Sequence, residues 1–359
     1  MGYLHKKTIE ENTLIFQSIL LFEIVTFFIE RRVIKQMYRI LDVLQQSEDF
    51  VSGQEIGNML CVSRAAVWKG IEKLRQEGYE IEAVTNKGYR LIHPETMYNK
   101  RELEAGRKTK RMGYPVHFWK ETDSTNNRLR ELAFDGAKEG TLAVAEVQTA
   151  GRGRRGKPWC SPVGTGIWLS VLLRPSIAPA QASVLTLLGG LAVCEVLENM
   201  TELKPQIKWP NDIYIGNKKA VGILTEMDCE LTEVHFVVMG IGINVNTKEF
   251  PDDLQDIATS LYLESGQTYS RKKLVQNIME VLERYYDAFV EAGTFVPFLE
   301  QYRKKCMTLG KEVTVFCKEP FSAAALDITE DGELLVRRAD NGKKEVVYAG
   351  EVSIRGVIK

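Results

Sequence analysis

The densest group of reactive side chains is Gly151-Arg-Gly-Arg-Arg-Gly-Lys-Pro-Trp159, where Arg152, Arg154, Arg155 and Lys157 place four cations within six residues, interleaved with three glycines. Guanidinium forks match carboxylate and phosphate oxygens two at a time, and glycine lets backbone come close to a ligand. Like charges so near one another repel. The segment is therefore expected to be mobile when empty and to order around a polyanion that supplies the counter-charge. An RGG-like RNA-binding patch is the alternative; the position between two apolar strands, just after Gln148, weighs against it.

Lys208-Trp-Pro-Asn-Asp212 stands between a strand and a hairpin and is followed by Lys218-Lys-Ala-Val-Gly222. Pro, Asn and Asp favour turns, so the motif reads as a turn placing Asn211 and Asp212 at a site rim. Asp123-Ser-Thr-Asn126 precedes a helical stretch, and its plain reading is an N-cap. Gly240-Ile-Gly-Ile-Asn244 lacks the third glycine of a dinucleotide fingerprint, and Val245 follows instead of a helix, so a Rossmann site is rejected. No GxxxxGK[ST] occurs, so a nucleotide here would not sit in a P-loop. The four histidines (5, 93, 117 and 235) are isolated, which supports neither a Ser-His-Asp triad nor histidine-ligated metal.

The elements that must hold these residues alternate over 114–309: apolar runs such as TLAVAEV, GIWLSVLLR and VHFVVMGIGINV are interleaved with helical stretches at 182–200 and 272–292. That is an α/β pattern. Residues 310–359 differ, with short strands and turns at Asp331-Gly332 and Asn341-Gly342, which predict a small barrel. Residues 37–97 read as a winged helix-turn-helix spanning about Gly53 to Glu72. Ser52 and Glu55 match a capping box, Ser63 caps a second helix, and Val67, Ile71 and Leu74 face inward. Arg64, Lys69 and Lys73 are left outward, as a recognition helix for the DNA major groove requires; Trp68 is assigned to packing. A small helical module for protein contacts is the alternative, because 37–97 holds seven Lys/Arg against nine Asp/Glu. The basic run from Arg101 to Arg111 reads as an exposed linker. Residues 1–36 are set apart as an N-terminal extension: Leu14–Ile29 is apolar but 16 residues long, short of the roughly 20 a bilayer span needs.

Across 359 residues, 47 Lys+Arg balance 48 Asp+Glu, so any nucleic-acid contact must be local. Six scattered cysteines without a CxxC favour reduced thiols in a cytoplasm over a disulfide framework.

Taken in order and spacing, GRGRRGKPW, STN at 124–126, Gln148, KWPND, KKAVGIL, GIGIN and AGEVSIR at 349–355 strongly resemble the bifunctional biotin–protein ligase and biotin operon repressor family over residues 37–359. The resemblance implies a multidomain fold with three parts: the winged helix-turn-helix, a mixed-sheet catalytic domain at 98–309 like the class II aminoacyl-tRNA synthetases, and an SH3-like β-barrel at 310–359. It implies that Ser124, Thr125, Asn126 and Gln148 line a biotin site, completed by Arg152, Gly153 and Arg154, with Gly222, Gly240 and Gly242 letting backbone approach the ring. Lys219 would sit by the biotin carboxylate and the α-phosphate, as a catalytic residue with Arg154 and Asp212. Trp159, Asn211, Asn244 and Arg355 fall on the ATP or adenylate side, and Asp212 is assigned to Mg²⁺ or the reacting groups. Ser63, Arg64, Lys69 and Lys73 would meet operator DNA. Two departures stand out: Lys157 replaces a usual Arg, and SAAAL at 322–326 lacks a usual glycine.

The implied chemistry is activation of biotin by ATP to biotinyl-5′-AMP, then transfer to a lysine of a biotin carboxyl carrier protein, with the adenylate-bound chain dimerising on DNA. A repressor that senses the acid without ligating it, and a lipoate or octanoate transferase, are the rivals.

Overall fold

The computed structural model describes residues 32, 34–92, 97–348 and 351–354. The chain divides into two compact units between Met97 and Tyr98. The extension through residue 31 and Arg355 lie outside the described residues.

In the first unit α1 (34–45) is followed by α2 (Gly53–Leu60) and α3 (Arg64–Gln76). Ser52 Oγ accepts the Glu55 N–H at 3.1 Å and Ser63 Oγ the Ala66 N–H at 3.2 Å, so both helices start where the sequence places their caps. The turn between them is tight: a Cβ at Gly57 would come within 2.8 Å of the Val62 carbonyl. Val67, Ile71 and Leu74 are fully buried while Arg64, Lys69 and Lys73 are exposed. Strands β1 (Ile81–Val84) and β2 (Gly88–Leu91) pair antiparallel as the wing. Trp68 departs from expectation. One helical turn beyond Arg64, it is 55% exposed, because the core stripe of α3 is already filled by its neighbours at 67, 71 and 74.

The second unit opens with α4 (Lys100–Glu104). The basic run after it is no free linker: Glu283 accepts the backbone N–H groups of Lys110, Arg111 and Met112, and Arg111 pairs with Glu139 and Asp287. Next come β3 (Val116–Thr122), α5 (Thr125–Phe134), β4 (Leu142–Gln148) and β5 (Gly166–Leu173). The long helix α6 (Ala182–Met200) follows, then β6 (Pro205–Lys208), β7 (Asp212–Ile215), β8 (Lys218–Cys229) and β9 (Val234–Asn244). These strands form one sheet in the order β3-β4-β5-β9-β8-β7-β6, parallel between β3 and β4 and antiparallel elsewhere. Helix α6 is apolar on nearly every side because it is packed on nearly every side, as expected of a core helix. It is covered by α8 (Arg271–Ala292) and α9 (Val296–Lys305), which follow the short α7 (Leu261–Ser265), while α5 packs on β4, β5 and β9.

A second sheet ends the chain: β10 (Glu312–Phe316), β11 (Phe321–Ile328), β12 (Leu334–Arg338), β13 (Lys344–Val347) and β14 (Glu351–Ile354), antiparallel throughout. Its order is β13-β12-β11-β10-β14, so the expected barrel takes the form of a five-stranded sheet with β13 and β14 at its ends. SAAAL runs through β11 in regular register with β10, and the β11–β12 ladder shifts between Ala325 and Asp327. Val313, Val315 and Val336 belong to the same apolar core as α6 and the seven-stranded sheet. So small a sheet gains a core by sharing one.

Candidate active site

A cavity of about 290 Å³ lies on the side of the seven-stranded sheet that carries the α5 N-terminus. Every described residue expected at a ligand site lines it. Ser124, Thr125 and Asn126 come from the start of α5 and Gln148 from the end of β4. Arg152, Gly153, Arg154 and Trp159 come from the loop, and Asn211 and Asp212 from the turn into β7. Lys219 and Gly222 lie on β8, and Gly240, Gly242 and Asn244 on β9.

One end is built for neutral hydrogen-bonding groups. Ser124 occupies the N-cap position of α5, yet its side chain makes no capping bond; Gln148 Oε1 accepts the Thr125 N–H at 2.8 Å instead. A residue from another strand has taken over the cap. Thr125 Oγ1 lies 3.1 Å from the same Gln148 oxygen. Ser170, fully buried on β5, sits 2.7 Å from Thr125 Oγ1 and 2.5 Å from Asn126 Oδ1.

The other end is built for anions. Lys219 Nζ stands 2.6 Å from Asp212 Oδ1 and 5.2 Å from the centre of the Trp159 ring. The Asp212 contact is an ion pair rather than an aligned hydrogen bond, since Oδ1 counts as a buried oxygen without a hydrogen-bond partner. Arg154 donates to Asn211 Oδ1 at 3.3 Å, and Asn211 Nδ2 is held by the Ile223 carbonyl at 3.0 Å. Asn244, 4% exposed, donates to the Thr259 carbonyl at 3.0 Å. Lys208, the first residue of the KWPND motif but given no role from sequence, and Tyr214, which the sequence did not single out, also line the cavity, with Lys208 Nζ 5.3 Å from the centre of the Tyr214 ring. Among the described residues no three potential metal ligands of the His, Cys, Asp or Glu kind cluster together.

The loop folds as a small hairpin, closed by Trp159 N–H to Gly151 O and Gly153 N–H to Lys157 O. Not all of its counter-charge has to come from a ligand: Arg152 pairs with Glu226 of β8 at 3.1 Å. Arg155, in the left-handed region at φ 55, donates to the Phe316 carbonyl of β10. The three glycines have protein occupants. A Cβ at Gly222 or Gly242 would meet the Trp159 indole at 2.8 or 2.7 Å, and one at Gly240 would meet Asn126 Oδ1 at 2.3 Å. Trp159 thus lies over the glycine floor itself. Trp209 of the KWPND turn is also part of the lining and is 2% exposed, its Nε1 donating at 3.0 Å to the carbonyl of Gly332 in the turn between β11 and β12.

The profile of the biotin/lipoate A/B protein ligase family matches residues 118–244, an HTH domain profile matches 37–90, and the biotin protein ligase C-terminal domain matches 308–355. The bifunctional ligase/repressor BirA of Bacillus spizizenii strain W23 is 42% identical over 313 residues, which span 86% of this chain and 95% of that protein. The chain belongs to the bifunctional ligase/repressor family. Its Escherichia coli K12 relative of the same name is 31% identical over 321 residues, 89% of this chain and 97% of that one. Among solved structures, a biotin protein ligase from Aquifex aeolicus in complex with biotin and ATP superposes with a TM-score of 0.59 at 33% identity, covering 69% of this chain and 99% of that chain. The order of parts in the family, helix-turn-helix then ligase then C-terminal sheet, is the order seen here.

Proposed function

We propose that this chain is a biotin–protein ligase that activates biotin with ATP and transfers it to a carrier-protein lysine, and that it represses biotin genes when the adenylate is bound. The observation that carries the reading is the polarity of the cavity: a cluster of amide and hydroxyl groups at one end, and Lys219, Arg154 and Asn211 at the other. A ureido ring with two N–H donors and one carbonyl fits the first end. A carboxylate meeting a triphosphate fits the second.

In the first step a biotin carboxylate oxygen bonds to the α-phosphorus and pyrophosphate leaves. In the second, the carrier amine attacks the acyl carbon, AMP leaves, and the amine loses a proton to solvent. No covalent enzyme intermediate is required, so the protein's work is alignment and charge neutralisation. Lys219, oriented by Asp212, is assigned to the oxygens that gain charge; Arg154, oriented by Asn211, flanks them. Trp159 and Asn244 are assigned to the adenylate side, and the loop hairpin to excluding water from the mixed anhydride. Arg355 completes this set. Asp212 is the one carboxylate lining the cavity among the described residues, and Lys219 already neutralises it. A cage of protein ligands for Mg²⁺ therefore does not fit, whereas an ion carried on the phosphates with Asp212 as its protein contact does. When bound, that ion offsets charge on the phosphoryl oxygens.

The repressor half of the reading rests on the exposed face of α3, where Ser63, Arg64, Lys69 and Lys73 are assigned to operator DNA. Ser63 spends its side-chain oxygen as a cap, which leaves its contact to the backbone end of the helix. A homodimer in the presence of the adenylate would present two such helices. A cytoplasmic site of action is supported by six cysteines that are all free thiols. The division at 98–309 and 310–359 into ligase and C-terminal domains belongs to the same proposal.

The deciding experiment supplies labelled biotin, ATP and a carrier domain, and scores covalent label on the carrier. Transfer that excess lipoate or octanoate fails to compete supports the reading. A carrier left unlabelled, or labelled only with the competing acids, overturns it.

A further inference from the structure

Glu226 lies on β8 in phase with Gly222 and Leu224, so alternation along the strand brings it to the ligand side of the sheet. Its Oε2 accepts from Asn126 Nδ2 at 2.7 Å, and its Oε1 from Arg152 at 3.1 Å. It does not line the cavity itself. Asn126, 5% exposed, is a residue whose amide could in principle sit either way round.

The neighbours remove that choice. An ionised carboxylate and a backbone carbonyl can only accept hydrogen bonds. Both Glu226 and the Leu224 carbonyl, the latter at 3.3 Å, face the Asn126 nitrogen, so Nδ2 must point to them and Oδ1 must point to Ser170. Ser170 has one proton. With Asn126 Oδ1 only 2.5 Å away, that proton is used there. The Thr125 hydroxyl, 2.7 Å from Ser170 Oγ and 3.1 Å from Gln148 Oε1, then spends its single proton within the protein, on one of these two oxygens. Gln148 Oε1 keeps the Thr125 backbone N–H. The result is that the Asn126, Ser170 and Thr125 protons are all committed within the protein, and Thr125, which lines the cavity, is left to offer its oxygen as an acceptor.

From this geometry we infer that Glu226 is a positioning residue that sets the direction of the Asn126–Ser170–Thr125 hydrogen-bond chain, so that the ring end of the cavity presents acceptors to a ligand's N–H groups. The inference rests on the ligase reading above and adds to it how the ureido group is discriminated. Through Arg152 the same carboxylate ties the chain's direction to the loop hairpin. Buried polar chains of this kind are sensitive to a single reversed member, because a reversed hydroxyl leaves two lone pairs facing each other.

The test compares biotin with its cyclic carbamate analogue, in which a ring oxygen replaces one ureido N–H, by ATP-dependent pyrophosphate release. Glu226→Gln keeps the shape but can donate as well as accept, which frees Asn126 to flip. Ser170→Ala removes the relay without touching charge. Each variant is expected to raise the KM for biotin about tenfold and to narrow the preference for biotin over the carbamate analogue by a similar factor, with the KM for ATP unchanged within twofold. A biotin KM unmoved in both variants, or equal losses for the two ligands, overturns the inference. Wild-type protein that releases no pyrophosphate with biotin would instead overturn the ligase reading, and the two failures are told apart in the same assay.

Discussion

Ser52 and Ser63 in the winged unit each bond a backbone N–H three residues downstream, whereas Asn126 in the cavity reaches Glu226, 100 positions away, and Arg154 reaches Asn211, 57 positions away. Both regions use hydrogen bonds of similar length. In the first, the partners are fixed by helix geometry, so they can be read from spacing alone. In the second, strand register decides them. A motif therefore names the residues of a site long before it names what orients them.

The two regions should break in different ways. The largest effect is expected at Lys219→Ala, which removes the cation proposed to face the transferring group. Pyrophosphate release should fall on the order of a hundredfold or more, and a loss under fivefold would remove Lys219 from the catalytic set. Next, the same substitution made twice sharpens the contrast. Gly57→Ala drives a Cβ against backbone in the helix turn and should cost about 1–3 kcal/mol of the winged unit's stability by chemical denaturation. Gly242→Ala drives one against the Trp159 indole, on a loop that can yield, and should instead weaken biotin binding about tenfold with the melting temperature little changed. Equal melting shifts would contradict the distinction. Arg64→Ala should reduce binding to a DNA fragment selected by the wild-type protein, by a factor of about ten with a shallower salt dependence, and leave ligation intact.

The smallest effect concerns Asp123, beside Ser124. Burial pushes its carboxyl up, but hydrogen bonds from Asn127, the Ser124 N–H, Thr122 and Arg128 outweigh that and bring it down to about 2. Because the folded value is depressed, the stabilisation is complete above the unfolded value near 4 and is lost as pH falls through 2. Asp123→Asn should therefore flatten the stability profile between those limits, and screening at this partly exposed group keeps the change small.

The helix-turn-helix was legible because capping residues, the inward stripe at 67, 71 and 74 and the wing turn are all local signals. The motifs of the cavity were legible as motifs. Two of their supports were missed, and each left a trace. Ser170 is the one polar residue in GIWLSVLL, a strand buried along its whole length, and a lone buried hydroxyl must have partners. Glu226 shares strand parity with Gly222, a signal that means something only once Gly222 is placed on the cavity lining. Trp68 was misjudged because an aromatic residue says nothing of its own direction once three neighbours complete the core stripe. The docking of 98–112 by Glu283, from a helix about 170 residues further on, had no local trace at all.

The indole of Trp209, buried with its N–H on the Gly332 carbonyl in the turn between β11 and β12, makes the KWPND turn a cantilever whose far end is bolted to the chain's last fifty residues. Clipping away that tail would excise none of the groups assigned to bond-making in the described cavity, yet Asn211 and Asp212 would lose the anchorage that aims them. An enzyme shortened in this way should fail from misalignment of these two residues as well as from the loss of Arg355.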